Sequence, residues 1–212
     1  MDVIVVVGGG PLDGRAVAGV PPAAGAIVIA ADSGLDAAVA AGLRPTTLVG
    51  DLDSISAAGR AWAADHGVTV ESFPTDKNAT DTELAVAAAA RSGATHLTLL
   101  GGGGDRLDHL LGTLGALGGE HTAGFATVAA WLGGTRIHVA RAHQPVAADL
   151  AAGTTFSVVA LHGPCTGVSI SGARWPLHDA CLAAGSTHGI SNLSTQLVTV
   201  TVASGTLTMV IP

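Results

Sequence analysis

The sequence predicts an N-terminal α/β domain with a doubly wound, mostly parallel, Rossmann-like sheet, followed by an all-β, antiparallel, sandwich-like domain. Three observations carry this. Apolar strand-like runs alternate with helical patterns over the first half, as βαβ units require. The first run, Val3-Ile4-Val5-Val6-Val7, shows no polar alternation, so it reads as a strand buried on both faces. Beyond about residue 119 the helical patterns stop and short strand patterns follow. One of them, Val198-Thr199-Val200-Thr201-Val202, alternates strictly. The expected domains are 1–125 and 126–212.

Gly8-Gly9-Gly10 follow the first strand, 3–7, directly. Asp13 stands where a dinucleotide fingerprint needs its third glycine, and the Gly-Lys-Ser/Thr of a P-loop is absent. The glycines serve either as a tight strand exit or as a place where a phosphate meets the backbone. The second strand, 26–30, runs into Ala31-Asp32-Ser33-Gly34, and a helix over 35–41 is closed by Gly42. Asp32 or Ser33 suits the N-cap of that helix. Asp32 also sits at the carboxyl end of a parallel strand, where ligands collect in open α/β sheets.

The third strand, 46–49, leaves through 50–55. A helix over 56–66 and a fourth strand over 68–72 follow. Thr80-x-x-Glu83 is a capping box before the apolar run 84–90, and Asp81 falls in the first turn, where the helix dipole favours a carboxylate. Gly93 closes this helix. The fifth strand, 95–100, ends in four glycines, 101–104, and a helix over 106–117 follows. Ordering four glycines costs entropy, which makes sense where backbone bends sharply or lies against a ligand. In the second half, 135–141, 154–161, 166–171, 196–203 and 206–211 read as strands. Ser204-Gly205 reads as a hairpin turn joining the last two.

Composition narrows the partners. The formal net charge of −7 excludes a nucleic-acid backbone, whereas a metal ion can bridge acids to a nucleotide's phosphates. Cys165 and Cys181 are the only cysteines, and their spacing suits neither a disulfide framework nor a metal. They read as small packed residues in a reducing compartment. Met1-Asp2 leads straight into the first strand, with no basic segment or cleavage site, and every apolar stretch is broken before membrane-spanning length. A cytoplasmic protein without signal peptide or membrane span is expected.

The chemistry concentrates in Gly50-Asp51-Leu52-Asp53-Ser54 and in the acids around it. In an extended segment, side chains two apart point the same way, so Asp51 and Asp53 aim at one spot. Two like charges there repel unless a cation lies between them. Hard carboxylate oxygens on a loop suit Mg²⁺, with phosphates completing its shell. Asp32, Asp81 and Asp108 fall at strand ends or helix starts on the same expected sheet edge. Each alone reads as a cap or turn residue; together, beside two glycine-rich exits, they read as a phosphoryl-transfer site. Arg106 either holds phosphate oxygens or pairs with Asp105 or Asp108.

These residues form an ordered set. Ala31-Asp32-Ser33-Gly34, Gly50-Asp51-Leu52-Asp53-Ser54, Pro74-x-x-Lys77-x-x-Thr80-Asp81-Thr82-Glu83 and Gly101-Gly102-x-Gly104-x-Arg106-Leu107-Asp108-His109 resemble the thiamine pyrophosphokinase family, in order and approximate spacing. Trp175-Pro176-Leu177 and Gly189-Ile190-Ser191-Asn192 extend the resemblance into the β domain. It implies transfer of a diphosphate from ATP to the thiamine hydroxyl, releasing AMP, with Mg²⁺ as cofactor. It implies Asp51, Asp53 and Asp81 as catalytic and metal-holding residues. Asp32, Ser33, Gly34, Lys77, Thr80, Gly101, Gly102, Arg106, Asp108 and His109 match nucleotide-binding positions, and Trp175, Ser191 and Asn192 match thiamine-binding ones. It further implies a homodimer with thiamine at the subunit interface. Three departures stand out: Asn78 where many members have Asp, Asp105 in the glycine loop, and Leu193-Ser194 where Glu-Phe is frequent. The alternatives are a diphosphokinase for another alcohol, such as a hydroxymethylpterin, and a non-catalytic sensor of thiamine or nucleotide.

Overall fold

β-Branched and leucine-rich runs set the first sheet. In the computed structural model, which describes residues 1–20, 25–104 and 106–212, they form β1 (Asp2–Val6), β2 (Ile27–Ala31), β3 (Thr47–Gly50), β4 (Thr69–Ser72) and β5 (His96–Gly101). A sixth strand, β6 (Thr127–Leu132), joins them. All pairings are parallel, in the order β6-β5-β1-β2-β3-β4. Val3 to Val6 are at most 1% exposed, as a central strand covered on both faces requires. Between the strands run α1 (Gly14–Gly19), α2 (Gly34–Ala40), α3 (Ala57–Asp65), α4 (Asp81–Arg91) and α5 (Leu107–Gly118). Alanines at Ala16 and Ala38 let α1 and α2 pack closely on Ile4, Val6 and Val28.

β6 was not among the strands expected. Its residues Thr127-Val128-Ala129-Ala130-Trp131-Leu132 are alanine-rich, and alanine has little strand preference of its own. Burial decides: Val128, Ala130 and Leu132 alternate inward, and the strand pairs β5 from His96↔Thr127 to Gly101↔Leu132. Of the two residues suited to the N-cap of α2, the structure selects the second. Ser33 takes the N-cap position of α2 with no side-chain bond, and Asp32 precedes it at φ 45°. By contrast, Ser56 and Thr80 cap α3 and α4 through bonds to the amides of Gly59 and Glu83.

The chain divides into two compact units, Met1–Gly134 and Thr135–Pro212. The second is built from β7 (Thr135–Arg141), β8 (Val146–Ala148), β9 (Thr155–Val159), β10 (Cys165–Ala173), β11 (Leu177–Leu182), β12 (Asn192–Thr201) and β13 (Thr206–Ile211). All its pairings are antiparallel. Phe156, Val158, Cys165, Val168, Val198, Val200, Leu207 and Met209 fill its core. Val198, Val200 and Val202 point inward while Thr199 and Thr201 do not, matching the alternation.

The expected hairpin between the last two strands does not form. β13 pairs β7 and β9, and β12 pairs β8, β9 and β10. Ser204 bridges to Thr166, and Gly205, at φ 96°, lies where a Cβ would stand 2.6 Å from the Pro164 carbonyl oxygen. The corner is therefore anchored on the start of β10, and the chain turns away from β12 instead of folding back along it. Among the described residues, no helix is long and apolar enough to cross a membrane.

Candidate active site

The strand order of the first unit reverses at β1. From β1 the chain winds out through β2, β3 and β4, then returns to β5 on the other side of β1. Such a reversal leaves a crevice at the carboxyl ends of the two strands. Both glycine runs exit here. Gly104 N–H donates to the Gly9 carbonyl at 2.9 Å, and a Cβ on Gly102 would collide with the backbone of Gly9 and Gly10. The two exits thus lie against one another, which only glycine permits.

A cleft of about 350 Å³ opens at this point. Gly8, Gly9, Gly103 and Gly104 form one wall. Asp32, Ser33 and Ser54 line another side, with Lys77, Thr80 and Asp81 from the segment entering α4. Arg106 and His109 close it from the start of α5.

The acids converge at the edge of this cleft. One carboxylate oxygen each from Asp32, Asp51 and Asp53 lies within 4.8 Å of the others. Asp81 joins them through Gly50: at φ 143°, a Cβ there would stand 2.9 Å from Asp81 Oδ1 and 3.3 Å from Asp32 Cβ. Asp32 and Leu52 both hold left-handed backbone, at φ 45° and 66°, a strained state for residues with side chains. Arg60 steadies the strained loop by donating to the Leu52 carbonyl. Ser54 Oγ donates to Asp53 Oδ1 at 2.8 Å.

Lys77 balances part of this charge. Its Nζ donates to Asp51 Oδ2 at 2.9 Å and lies 3.2 Å from Asp81 Oδ1, an ion pair without an aligned hydrogen bond. The Lys77 hydrogen bond holds the Asp51 carboxyl below its ordinary range, and Asp51 in turn raises the lysine. Asp32 moves the other way: burial raises its pKa, the Asp81 and Asp53 charges add to that, and the Ser33 amide and Ser54 hydroxyl oppose it. Asp32 Oδ1 is buried and accepts no hydrogen bond among the described residues. A buried carboxylate oxygen without a donor, facing two more carboxylates, is a donor set for a hard cation.

The second unit holds a separate pocket of about 610 Å³. It is lined by Arg174, Trp175, Leu177, Ile190, Ser191 and Asn192, among others. The Trp175 side chain is half exposed, and the Arg174 guanidinium sits 5.0 Å from its ring centroid. Ser191 holds left-handed backbone at φ 60°, its amide donating to Ser157 Oγ at 3.0 Å. Asn192 is buried and bonds the backbone of Trp175 on both sides.

Comparison with known proteins fits both units. The profile described as thiamin pyrophosphokinase, catalytic domain, matches residues 23–124, and that of the thiamin pyrophosphokinase vitamin B1 binding domain matches 134–207. The chain belongs to the thiamin pyrophosphokinase family. Its activity is that of the family, the transfer of a diphosphate from ATP to thiamine. Among solved structures, thiamine pyrophosphokinase from Bacillus subtilis superposes with a TM-score of 0.81 at 22% identity, over 100% of this chain and 98% of that one. The enzyme from Geobacillus thermodenitrificans gives 0.79 at 25%, over 100% and 97%. That from Candida albicans gives 0.78 at 13%, over 99% and 89%. Among curated protein sequences, none matches the chain significantly.

The family's expected positions fall into three groups. Asp32, Ser33, Lys77, Thr80, Asp81, Arg106 and His109 line the first cleft, with Asp51 and Asp53 against Asp32. Trp175, Ser191 and Asn192 line the second pocket. Gly34, Gly101, Gly102 and Asp108 do not line the first. Gly34 packs where a Cβ would collide with the Val6 carbonyl. Asp108 binds Arg106 through two hydrogen bonds, at 2.9 and 2.6 Å, which hold its carboxyl far below the ordinary range. Asp105 lies outside the described residues, and Asn78 is exposed. Thr75, Leu110, Thr113 and Leu132 also line the cleft and were not singled out in the sequence. No charge marks them, and only the helical register of α5 places Leu110 and Thr113 beside His109.

Proposed function

We propose that the first-unit cleft binds ATP with Mg²⁺, that the second-unit pocket binds thiamine, and that the thiamine hydroxyl attacks the β-phosphorus of the ATP. The convergence of Asp32, Asp51 and Asp53 within 4.8 Å, with Asp81 beside them, carries this reading. Those oxygens fit Mg²⁺, which Asp51, Asp53 and Asp81 would hold with Asp32; bound there, the ion neutralises phosphate charge. The chain's own groups do the rest. Backbone amides of the glycine exits and Arg106 grip phosphate oxygens, Arg106 by exchanging its Asp108 partner. Lys77 and Thr80, with Ser33 and His109, complete the nucleotide's surroundings. Asp81 or Asp53 takes the proton from the attacking hydroxyl, and alignment of the reactants supplies most of the rate.

In the second pocket, the flat face of Trp175 suits a thiazolium cation, and Ser191 lies at the same wall. The half-exposed Trp175 and Ile190 side chains support a homodimer in which a second copy covers this surface, with thiamine at the interface. The parallel first sheet fits a doubly wound, Rossmann-like domain and the antiparallel second unit a sandwich-like one. Free thiols at Cys165 and Cys181 fit a reducing, cytoplasmic location.

The test is direct. Incubated with ATP, Mg²⁺ and thiamine, the protein should release AMP and thiamine diphosphate in equal amounts, and D51N should lower turnover by orders of magnitude. AMP formed only with a pterin alcohol, tight thiamine binding without AMP, or near-normal turnover by D51N would each refute the proposal.

A further inference from the structure

We infer that Asn192 is a positioning residue that sets the Trp175 ring, and that it makes no substrate contact of its own. This rests on the reading that the second-unit pocket takes thiamine.

The backbone at Trp175 has left its sheet. Regular pairing of β10 with β12 shifts register between Ser171 and Ala173, and Ala173↔Ser194 is the last paired position. Beyond it, Arg174 N–H donates to the Leu193 carbonyl at 2.8 Å. Trp175 then has a side chain for a neighbour. Its N–H donates to Asn192 Oδ1 at 3.1 Å, and its carbonyl accepts from Asn192 Nδ2 at 2.7 Å. One carboxamide thus replaces a missing strand partner.

A donor and acceptor count shows what is left for a ligand. A carboxamide oxygen has two lone pairs and the nitrogen two N–H groups. Oδ1 spends both lone pairs, on Trp175 N and on Leu193 N at 2.9 Å. Nδ2 spends one N–H on the Trp175 carbonyl. One Nδ2 N–H is left over, and at 4% exposure Asn192 shows the pocket little of its side chain, which its bonds to Trp175 and Leu193 already occupy. Ser191 precedes it in strained backbone, tied to Ser157. That twist turns Asn192 inward and leaves Ser191 as the residue of the pair facing a ligand.

The half-exposed indole explains the need. Half of Trp175 is open to solvent, so the hold on its backbone limits where the ring can point. Freeing that backbone spreads the ring over several rotamers and weakens a stacked ligand.

A double-mutant cycle tests this. W175A should raise the KM for thiamine about tenfold, as loss of a stacked cation predicts. N192A should raise it by a similar factor, with kcat and the KM for ATP unchanged. In the W175A background, N192A should then add nothing. N192D keeps the acceptor and loses the donor to the Trp175 carbonyl. It serves if N192A is insoluble, and should follow the same non-additive pattern. If either Asn192 substitution raises the thiamine KM as much in W175A as in the parent chain, Asn192 touches the substrate and the inference fails. If W175A itself leaves the thiamine KM unchanged, the pocket assignment fails, and the inference with it.

Discussion

Lys77 Nζ stands 2.9 Å from Asp51 Oδ2, closing a contact across 26 residues of chain. Both side chains are shielded, 13% and 9% exposed. The chain's single lysine therefore holds together acids that would otherwise repel in the metal-free protein.

Replacing it exposes that role. K77M should lower the melting temperature in chelator, because Asp51 and Asp81 lose their counter-charge. Added Mg²⁺ should recover part of the loss, since the ion supplies the missing positive charge. Melting curves with and without Mg²⁺ check this; equal stability of K77M and parent in chelator would contradict it.

Asp32 should behave in the opposite sense. Its pKa is raised in the folded state, chiefly by burial, so the native protein holds that proton more tightly than the unfolded chain. Its contribution to stability is then present below the ordinary carboxylate pKa of about 4 and lost as pH rises through the raised value. D32N removes the ionisation and keeps a residue that tolerates left-handed backbone. In chelator, D32N should match the parent near pH 4 and exceed it at neutral pH by roughly 1 kcal/mol, or about 2–4 °C. Its diphosphotransfer activity should fall sharply. A variant less stable than the parent at neutral pH would overturn this account.

Gly34 distinguishes packing from ligand contact. A Cβ there would collide with the Val6 carbonyl, so G34A should cost about 1–3 kcal/mol, or roughly 3–10 °C in melting temperature. Thermal melting without ligands reads this, and an unchanged melting temperature would show that the helix shifts freely.

Arg174 competes for the face of Trp175. Its guanidinium lies 5.0 Å from the ring centroid, over a face that the proposed function assigns to a thiazolium cation. R174A should lower the KM for thiamine about two- to fivefold, the worth of an exposed cation–π contact. Steady-state kinetics decide, and an increased KM would mean that Arg174 assists binding.

The first sheet was legible because Val3 to Val7 and the runs at 26–30 and 95–100 are buried strands whose composition announces burial. Thr80 announced its helix because the capping bond is local in sequence. What failed was non-local. β6 is alanine-rich, and only its place beside β5 makes it a strand. Ser204-Gly205 has hairpin chemistry, yet its bridge to Thr166, nearly forty residues away, sends β13 elsewhere. At the first cleft, repelling acids were visible as spacing. The Lys77 bridge and the left-handed turn at Leu52 exist only once the strands align. Asn192 was visible as part of a motif, but its bonding to Trp175 was not.

The interlocked glycine exits have a dynamic consequence. Gly9 and Gly104 are joined by a hydrogen bond, and Gly133 N–H secures Gly101 from the end of β6 at 2.9 Å. Segments that would writhe independently in isolation are tied together on folding, so under the proposed reading a triphosphate would meet a cradle whose ordering cost has already been met. Nucleotide capture at that wall should be quick, with little change in amide exchange around Gly9 and Gly104.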